Sequence, residues 1–407
     1  MSQAARAEVA RRSVETLFGH RLAGLPGTHL AAVAVPRPRG LVRSWNYWWQ
    51  AHYLDALVDA ALRARRSGDA GGGSAATATA SALHRGIVLR NGGRITNGYA
   101  DDMAWLALAL HRLARFLGEG PDAARADRAV EVLRARISRL ERPEGGMYWR
   151  TRRDFVNAAA TSPTALLLAQ RGDPERARSL LEWTYLALHD PSSGLVMDGV
   201  RSHRGRDGRV HPEHYSYNQG TTLGALLALG EPVDLARAED LIAAIARRLT
   251  LPDTGTGTGE GAGAGADADA DAGADAGADA DAGGSGEEPR FVLRGHGGGD
   301  GALFTGIAAR YLAGAALDPR LSPSARGTAR RLVVDTAEAL WAGRAERPVS
   351  DRDRHTGVRE LATVFSPEPG EPATAHVGAP VELSAQLQAW ITLEAAATIE
   401  AAPHPGG

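Results

Sequence analysis

The chain has 407 residues, 43% of them hydrophobic, enough to bury a large core in one big domain or two or three smaller ones. It contains no cysteine, and all 46 basic residues are Arg, which excludes disulfides, thiolate metal sites, cysteine nucleophiles and any Schiff-base or phosphate-loop lysine. The formal net charge of −2 hides an asymmetry: residues 251–288 carry ten acidic side chains and no Arg, leaving 38 acidic against 46 basic residues elsewhere.

The chain opens with MSQAARAEVARRSVETLF, which lacks the uninterrupted apolar stretch of a secretory signal and reads as an amphipathic helix over 3–20. An apolar repeat of three to four residues predicts further helices over 47–66, 76–89, 99–117, 123–140, 154–170 and 174–188. The second half continues with 217–229, 235–249, 302–316, 323–341 and 381–399, twelve helices in all. Asp173-Pro174 and Ser322-Pro323 mark two starts, a capping residue followed by proline at the first helical position. Alternating β patterns are scarce. No run reaches the roughly 18 apolar residues of a membrane span, so a soluble, cytoplasmic protein is expected, as a monomer. The arginines form no aromatic-interleaved stripe, and no nucleic-acid partner is expected.

Short plain loops alternate with long ones rich in Gly, aromatic and polar residues, at 142–152, 191–216 and 290–300. No fixed-period repeat argues for a solenoid. Six helical hairpins closed into a ring would put the rich loops on one face, so the expected architecture is an all-α (α/α)6 barrel, one domain over 1–407. The stretch 252–289, rich in Ala, Gly and Asp, has no aromatic residue to offset its ordering entropy and is expected to be a disordered acidic insertion.

Several clusters carry polar chemistry. In ITNGYADDMAW, Asn97 reads as a helix N-cap, placing Asp101 and Asp102 in or near the first turn. Acids there also complement the helix dipole without any catalytic role. A retaining glycosidase, however, needs two carboxyls about 5–5.5 Å apart, a spacing that adjacent residues can supply. Repulsion between them would keep one proton on the pair.

Trp45, Trp48 and Trp49 concentrate three of the eight Trp within five residues, on one helical face together with His52 and Asp55. They suit core packing or a platform for sugar rings, and His52 alone reads as a satisfied buried histidine. In HPEHYSYNQG, Tyr217, Asn218 and Gln219 open a helix within reach of a polyhydroxylated ligand. His211, Glu213 and His214 lack any zinc spacing, so no metal or cofactor is expected. GGMYWR at 145–150 and HGGGDGALF at 296–304 are two further polar-aromatic loops.

Five of these segments, in chain order, resemble glycoside hydrolase family 76, the endo-α-1,6-mannanases: WWQAHYLDALVDA, NGYADDMAW, GGMYWR, YSYNQGTTLGALLAL and GDGALFTGIAARYL. The resemblance implies an (α/α)6 barrel acting on α-1,6-linked mannose by double displacement, with Asp101 as nucleophile and Asp102 as acid/base. It implies that Trp48, Trp49, Asn97, Tyr99, Trp105, Trp149, Asn157, Tyr217, Asn218 and Gln219 line the sugar subsites. Ala100 stands where the family has a second aromatic residue, Thr305 where it has lysine, and Thr161-Ser162 where it has Asn-Gly. The alternatives are a mannan transglycosylase or another sugar-active (α/α)6 enzyme, and a non-catalytic glycan-binding protein.

Overall fold

The computed structural model describes residues 1–38, 45–203, 206–251, 290–349 and 361–403. Among them lie twelve α-helices: α1 (Gln3–Phe18), α2 (Tyr47–Ser67), α3 (Ala70–Arg90), α4 (Ala100–Leu117), α5 (Pro121–Ile137) and α6 (Ala158–Gln170), then α7 (Pro174–Leu188), α8 (Ser216–Leu229), α9 (Pro232–Arg248), α10 (Phe304–Leu317), α11 (Pro323–Ala342) and α12 (Leu383–Glu400). The acidic stretch 252–289 lies outside the described residues.

The even-numbered helices form a closed ring: α2 packs on α4, α4 on α6, α6 on α8, α8 on α10, α10 on α12, and α12 back on α2. Each odd-numbered helix packs outside this ring, and α1 covers α12. The architecture is the (α/α)6 barrel. Composition explains which helix goes where. A helix walled in on every side must be apolar all round, whereas an outer helix needs only a stripe. Accordingly α6 buries every residue of 158–168 and α12 every residue of 383–397. The outer α5 buries only Ala123, Ala126, Val130, Leu133 and Ile137, spaced three or four apart.

The inner helices run parallel, so their N-terminal ends gather at one end of the barrel. Deeper in, Asp55 and Asp59 of α2 are both ion-paired to Arg112 of α4 and to Arg310 of α10, at 2.8 Å and 2.6 Å for the Arg310 contacts. Buried charges need such mutual satisfaction. No helix among the described residues is long and apolar enough to cross a membrane.

Several boundaries differ from the periodicity reading. The helix expected from 154 starts at Ala158, because Phe155–Asn157 pairs as a strand with 199–201. The first helix stops at Phe18, since Gly19–His20 pairs with Leu30–Ala31. In the other direction, α3 starts at Ala70, six residues earlier than expected, because the Asp69 carboxylate caps Gly72 N at 2.9 Å.

Candidate active site

A cavity of about 760 Å³ opens at the N-terminal end of the inner helices. Its wall takes Asn46 and Trp48 from the start of α2, Tyr99, Asp101, Asp102 and Trp105 from α4, and Asn157 from the cap of α6. Tyr215 and Tyr217 come from the start of α8 and Phe304 from the start of α10.

The loop GGMYWR is shaped by its two glycines. Gly145 and Gly146 have φ of 98° and 75°, and a Cβ on Gly146 would stand 2.6 Å from the Trp183 ring. This tight passage carries the chain to Trp149. Trp149 O accepts from Ala100 N at 2.8 Å, and Trp149 N donates to Phe155 O at 2.8 Å. The indole is thereby fixed beside α4, and its Nε1–H donates to Asp101 Oδ2 at 2.9 Å.

Asn97 does not cap α4. Tyr99 occupies that position, and the Asn97 side chain accepts from Tyr99 N at 2.9 Å and donates to Asp102 Oδ2 at 2.5 Å. Each carboxylate of the pair thus has its own neutral donor. Burial pushes Asp101 up to about 7, with Asp300 adding to the rise, against opposing hydrogen bonds from Trp149 and from backbone N–H groups. Burial and then the charge of Asp101 push Asp102 well above the carboxylate range, opposed by Asn97. Two buried, adjacent carboxylates resist joint ionisation, so the pair holds a proton between them.

Aromatic faces surround the pair. Tyr217 and Phe304 stack at 4.1 Å between centroids, Tyr99 meets Trp149 edge-on at 5.2 Å, and Trp48 lies 6.2 Å from Phe304. Behind Trp48 and Trp105 sits His52, in ring contact with both at 5.4 Å and 4.7 Å. It is buried as expected but not satisfied: neither ring nitrogen has a hydrogen-bond partner among the described residues. Burial holds it well below its usual range, so it is neutral.

Of the residues singled out from sequence, Trp48, Tyr99, Asp101, Asp102, Trp105, Trp149, Asn157 and Tyr217 line the cavity. Four others stand behind the wall. Trp49 is only 6% exposed and donates its Nε1–H to Asp300 at 2.9 Å. Gln219 is consumed by Val196, accepting from its N at 2.8 Å and donating to its O at 2.7 Å. Asn218 donates to Asp198 Oδ1 at 3.4 Å, and Asn97 supports Asp102 as described.

Asn46, Phe155, Asp198 and Arg201 line the cavity unforeseen, while His211, Tyr215, His296, Asp300 and Phe304 come from the two segments at 211–220 and 296–304 singled out from sequence without a subsite role. Burial raises Asp198 to about 6, with Asn218 opposing. His211 accepts from Arg201 Nε at 3.2 Å and meets the Phe155 ring edge-on at 5.0 Å, while His214 lies 3.4 Å from Asp190. Thr305, at the position of the family's lysine, is buried and donates to Arg294 O at 2.8 Å. Thr161 is likewise turned inward, onto Asn157 O at 2.7 Å.

An (α/α)6 barrel with an aromatic cleft around two adjacent carboxylates is the form of a sugar-active enzyme. Residues 3–238 match the glycosyl hydrolase family 76 description, and the chain belongs to that family. It is similar in structure to the GH76A α-1,6-mannanase of Salegentibacter sp. HEL1_6, at 25% identity and a TM-score of 0.72 over 98% of this chain and 100% of that one. A family 76 mannosidase from Bacteroides thetaiotaomicron is also similar, at 17% identity and a TM-score of 0.70, over 98% of this chain and 98% of that one. Dfg5 from Chaetomium thermophilum shares the fold at 13% identity and a TM-score of 0.64, over 98% and 91% of the two chains. No curated protein matches the chain.

Proposed function

We propose that this chain hydrolyses α-1,6-mannosidic linkages in mannan or manno-oligosaccharides with retention of anomeric configuration. The observation that carries the reading is the Asp101–Asp102 pair, two adjacent carboxylates with separate hydrogen-bond donors, in the wall of an aromatic cleft. The Salegentibacter mannanase supports the choice of substrate. Its inactive variants change two adjacent aspartates and have been seen with α-1,6-mannotriose and α-1,6-mannotetrose.

In the first step Asp101 attacks the anomeric carbon and forms a glycosyl ester. The glycosidic C–O bond breaks as Asp102 gives its proton to the departing oxygen. In the second step Asp102 takes a proton from water, the water oxygen attacks the anomeric carbon, and Asp101 leaves as carboxylate. Trp149 and the backbone N–H groups stabilise the ionised form of Asp101, as a nucleophile requires, while burial and the Asp101 charge keep the proton on Asp102. The exposed faces of Trp48, Tyr99 and Trp149 suit the C–H surfaces of mannose rings.

The test is incubation with linear α-1,6-manno-oligosaccharides, following the anomer of fresh product by NMR. Initial α-product is expected, and Asp101→Asn and Asp102→Asn should each lower the rate by roughly 10²–10⁴ or more. Initial β-product would overturn retention. Transfer products would point to a transglycosylase, and saturable binding without turnover to a glycan-binding role.

A further inference from the structure

Asp300 closes the glycine-rich loop that precedes α10. That loop is tied down at Gly297 N, which donates to Glu368 Oε1 at 2.7 Å, and at Gly299 N, which donates to Glu382 Oε2 at 2.6 Å. Gly297 and Gly299 have φ of 78° and 62°, conformations that other residues rarely adopt. The loop carries Asp300 to the start of α2, about 250 positions away in the chain, where a single oxygen gathers three donors. Asp300 Oδ1 accepts from Trp48 Nε1 at 3.0 Å, Trp49 Nε1 at 2.9 Å and Asn46 Nδ2 at 3.4 Å. The two indoles go different ways: Trp48 lines the cleft and Trp49 is buried in the core. Asp300 lines the same cavity as Asp101 and Asp102.

We propose that Asp300 is a positioning residue with two roles: Oδ1 pins the Trp48 indole as a fixed platform, and the carboxylate stands in the cleft as a third acidic group beside the Asp101–Asp102 pair. The inference rests on the reading of that pair as the reacting groups. Three indole and amide donors on one oxygen fix the carboxylate in place without a cation partner among the described residues. Burial is the main cause of the rise in both Asp101 and Asp102, the Asp101 charge comes next for Asp102, and Asp300 adds a smaller push to each. The other ionisable groups are Tyr47 of α2, which feels the Asp102 charge, and, along the same cavity, Tyr99, Asp198, Arg201, His211, Tyr215, Tyr217 and His296. Within the cavity, Asp300 is the carboxylate whose one oxygen gathers three donors. Around Asp300 itself stand Glu382, just before α12, which accepts from the preceding Gly299 N, and, in the same cavity, His296 and the pair.

Asp300→Asn separates the two roles. The amide oxygen keeps the three donors while the charge disappears. Asp300→Leu removes both. The measurement is a pH titration of ¹³C-labelled aspartate carboxyls together with the indole ¹⁵N–¹H resonances, read without substrate. In Asp300→Asn the two midpoints of the pair should fall by about half a pH unit or more, with the Trp48 and Trp49 resonances in place. Asp300→Leu should lower the midpoints and also move both indole resonances. Midpoints in Asp300→Asn that coincide with wild type would overturn the electrostatic role. Unmoved indole resonances in Asp300→Leu would overturn the positioning role. A wild-type chain that titrates as expected yet cleaves no α-1,6-mannoside would overturn the glycosidase reading and leave the Asp300 assignment standing.

Discussion

Asp101 and Asp102 are kept where water would ionise them and the protein resists it. Burial takes Asp101 to about 7, from an ordinary value of 3.8. A carboxyl raised on folding contributes its full stability below about pH 4, where both states hold the proton, and loses it as pH rises through the folded value. The wild-type chain therefore carries a penalty at neutral and alkaline pH that a neutral isostere escapes. Asp101→Asn keeps an oxygen for the Trp149 donor and should melt about 2 °C or more above wild type near pH 8, with the gap closing toward pH 4. Calorimetric scans at the two pH values check this, and an unchanged melting point at pH 8 would mean that the pair is solvated. Such a trade of stability for function is usual at reactive sites. The pair was legible in the sequence because its two members and the nearby Asn97 and Trp105 fall within a few residues. Asp300 and Asp198 were not, because what gives them meaning is brought together only by folding: the indoles of Trp48 and Trp49 for one, the Asn218 amide for the other. Trp49 and Gln219 have the right chemistry for a sugar site, but helical direction turns one into the core and spends the other on Val196.

At the level of elements, periodicity found all twelve helices, since an amphipathic or fully apolar stretch announces itself in any setting. It missed helix ends wherever the chain switches to a short strand, as at Phe155–Asn157, because strand pairing depends on a partner distant in sequence. Closeness of inner helices was equally hidden. A Cβ on Gly220 of α8 would stand 2.6 Å from Ala308 Cα, and one on Gly306 of α10 would stand 2.7 Å from the Gln388 backbone. Main-chain atoms cannot step aside as a side-chain tip can, so these glycines set the spacing of α8, α10 and α12. Gly220→Ala should therefore destabilise the chain by about 1–3 kcal/mol, despite alanine's better helix propensity. Gly327→Ala on the outer α11, where nothing lies within 4 Å, is the control and should stabilise by about 0.5–1 kcal/mol. Thermal unfolding of the two variants decides the matter, and equal gains from both would show that α8 and α10 can separate freely.

For the molecule as a whole, the barrel is closed by its two chain ends. In α1, Ala7, Ala10, Val14 and Phe18 are buried, and α1 is tied to the far helices through Gln3 N, which donates to Glu400 Oε2 at 2.9 Å. Arg63 of α2 joins Glu8 of α1 and Glu394 of α12, at 2.9 Å each. The sixth hairpin is thus α12 with α1, and every helix from 290 onward is needed to complete the ring begun before residue 251. The described helices before residue 251 and after residue 290 thus belong to one ring. The residues on either side of the acidic stretch 252–289 hold each other directly. Leu251 N donates to Val292 O at 2.8 Å, Arg294 N donates to Leu249 O at 2.9 Å, and Thr250 bridges Leu293. A chain in which a short Gly–Ser connection replaces 252–289 should therefore fold, with a melting point equal to wild type or slightly higher, because closing a shorter loop forfeits less entropy. Turnover of α-1,6-manno-oligosaccharides should persist, since the described lining of the cleft resumes only at His296, past the replaced stretch. A large fall in melting point would mean that the acidic stretch packs against the barrel and belongs to the fold.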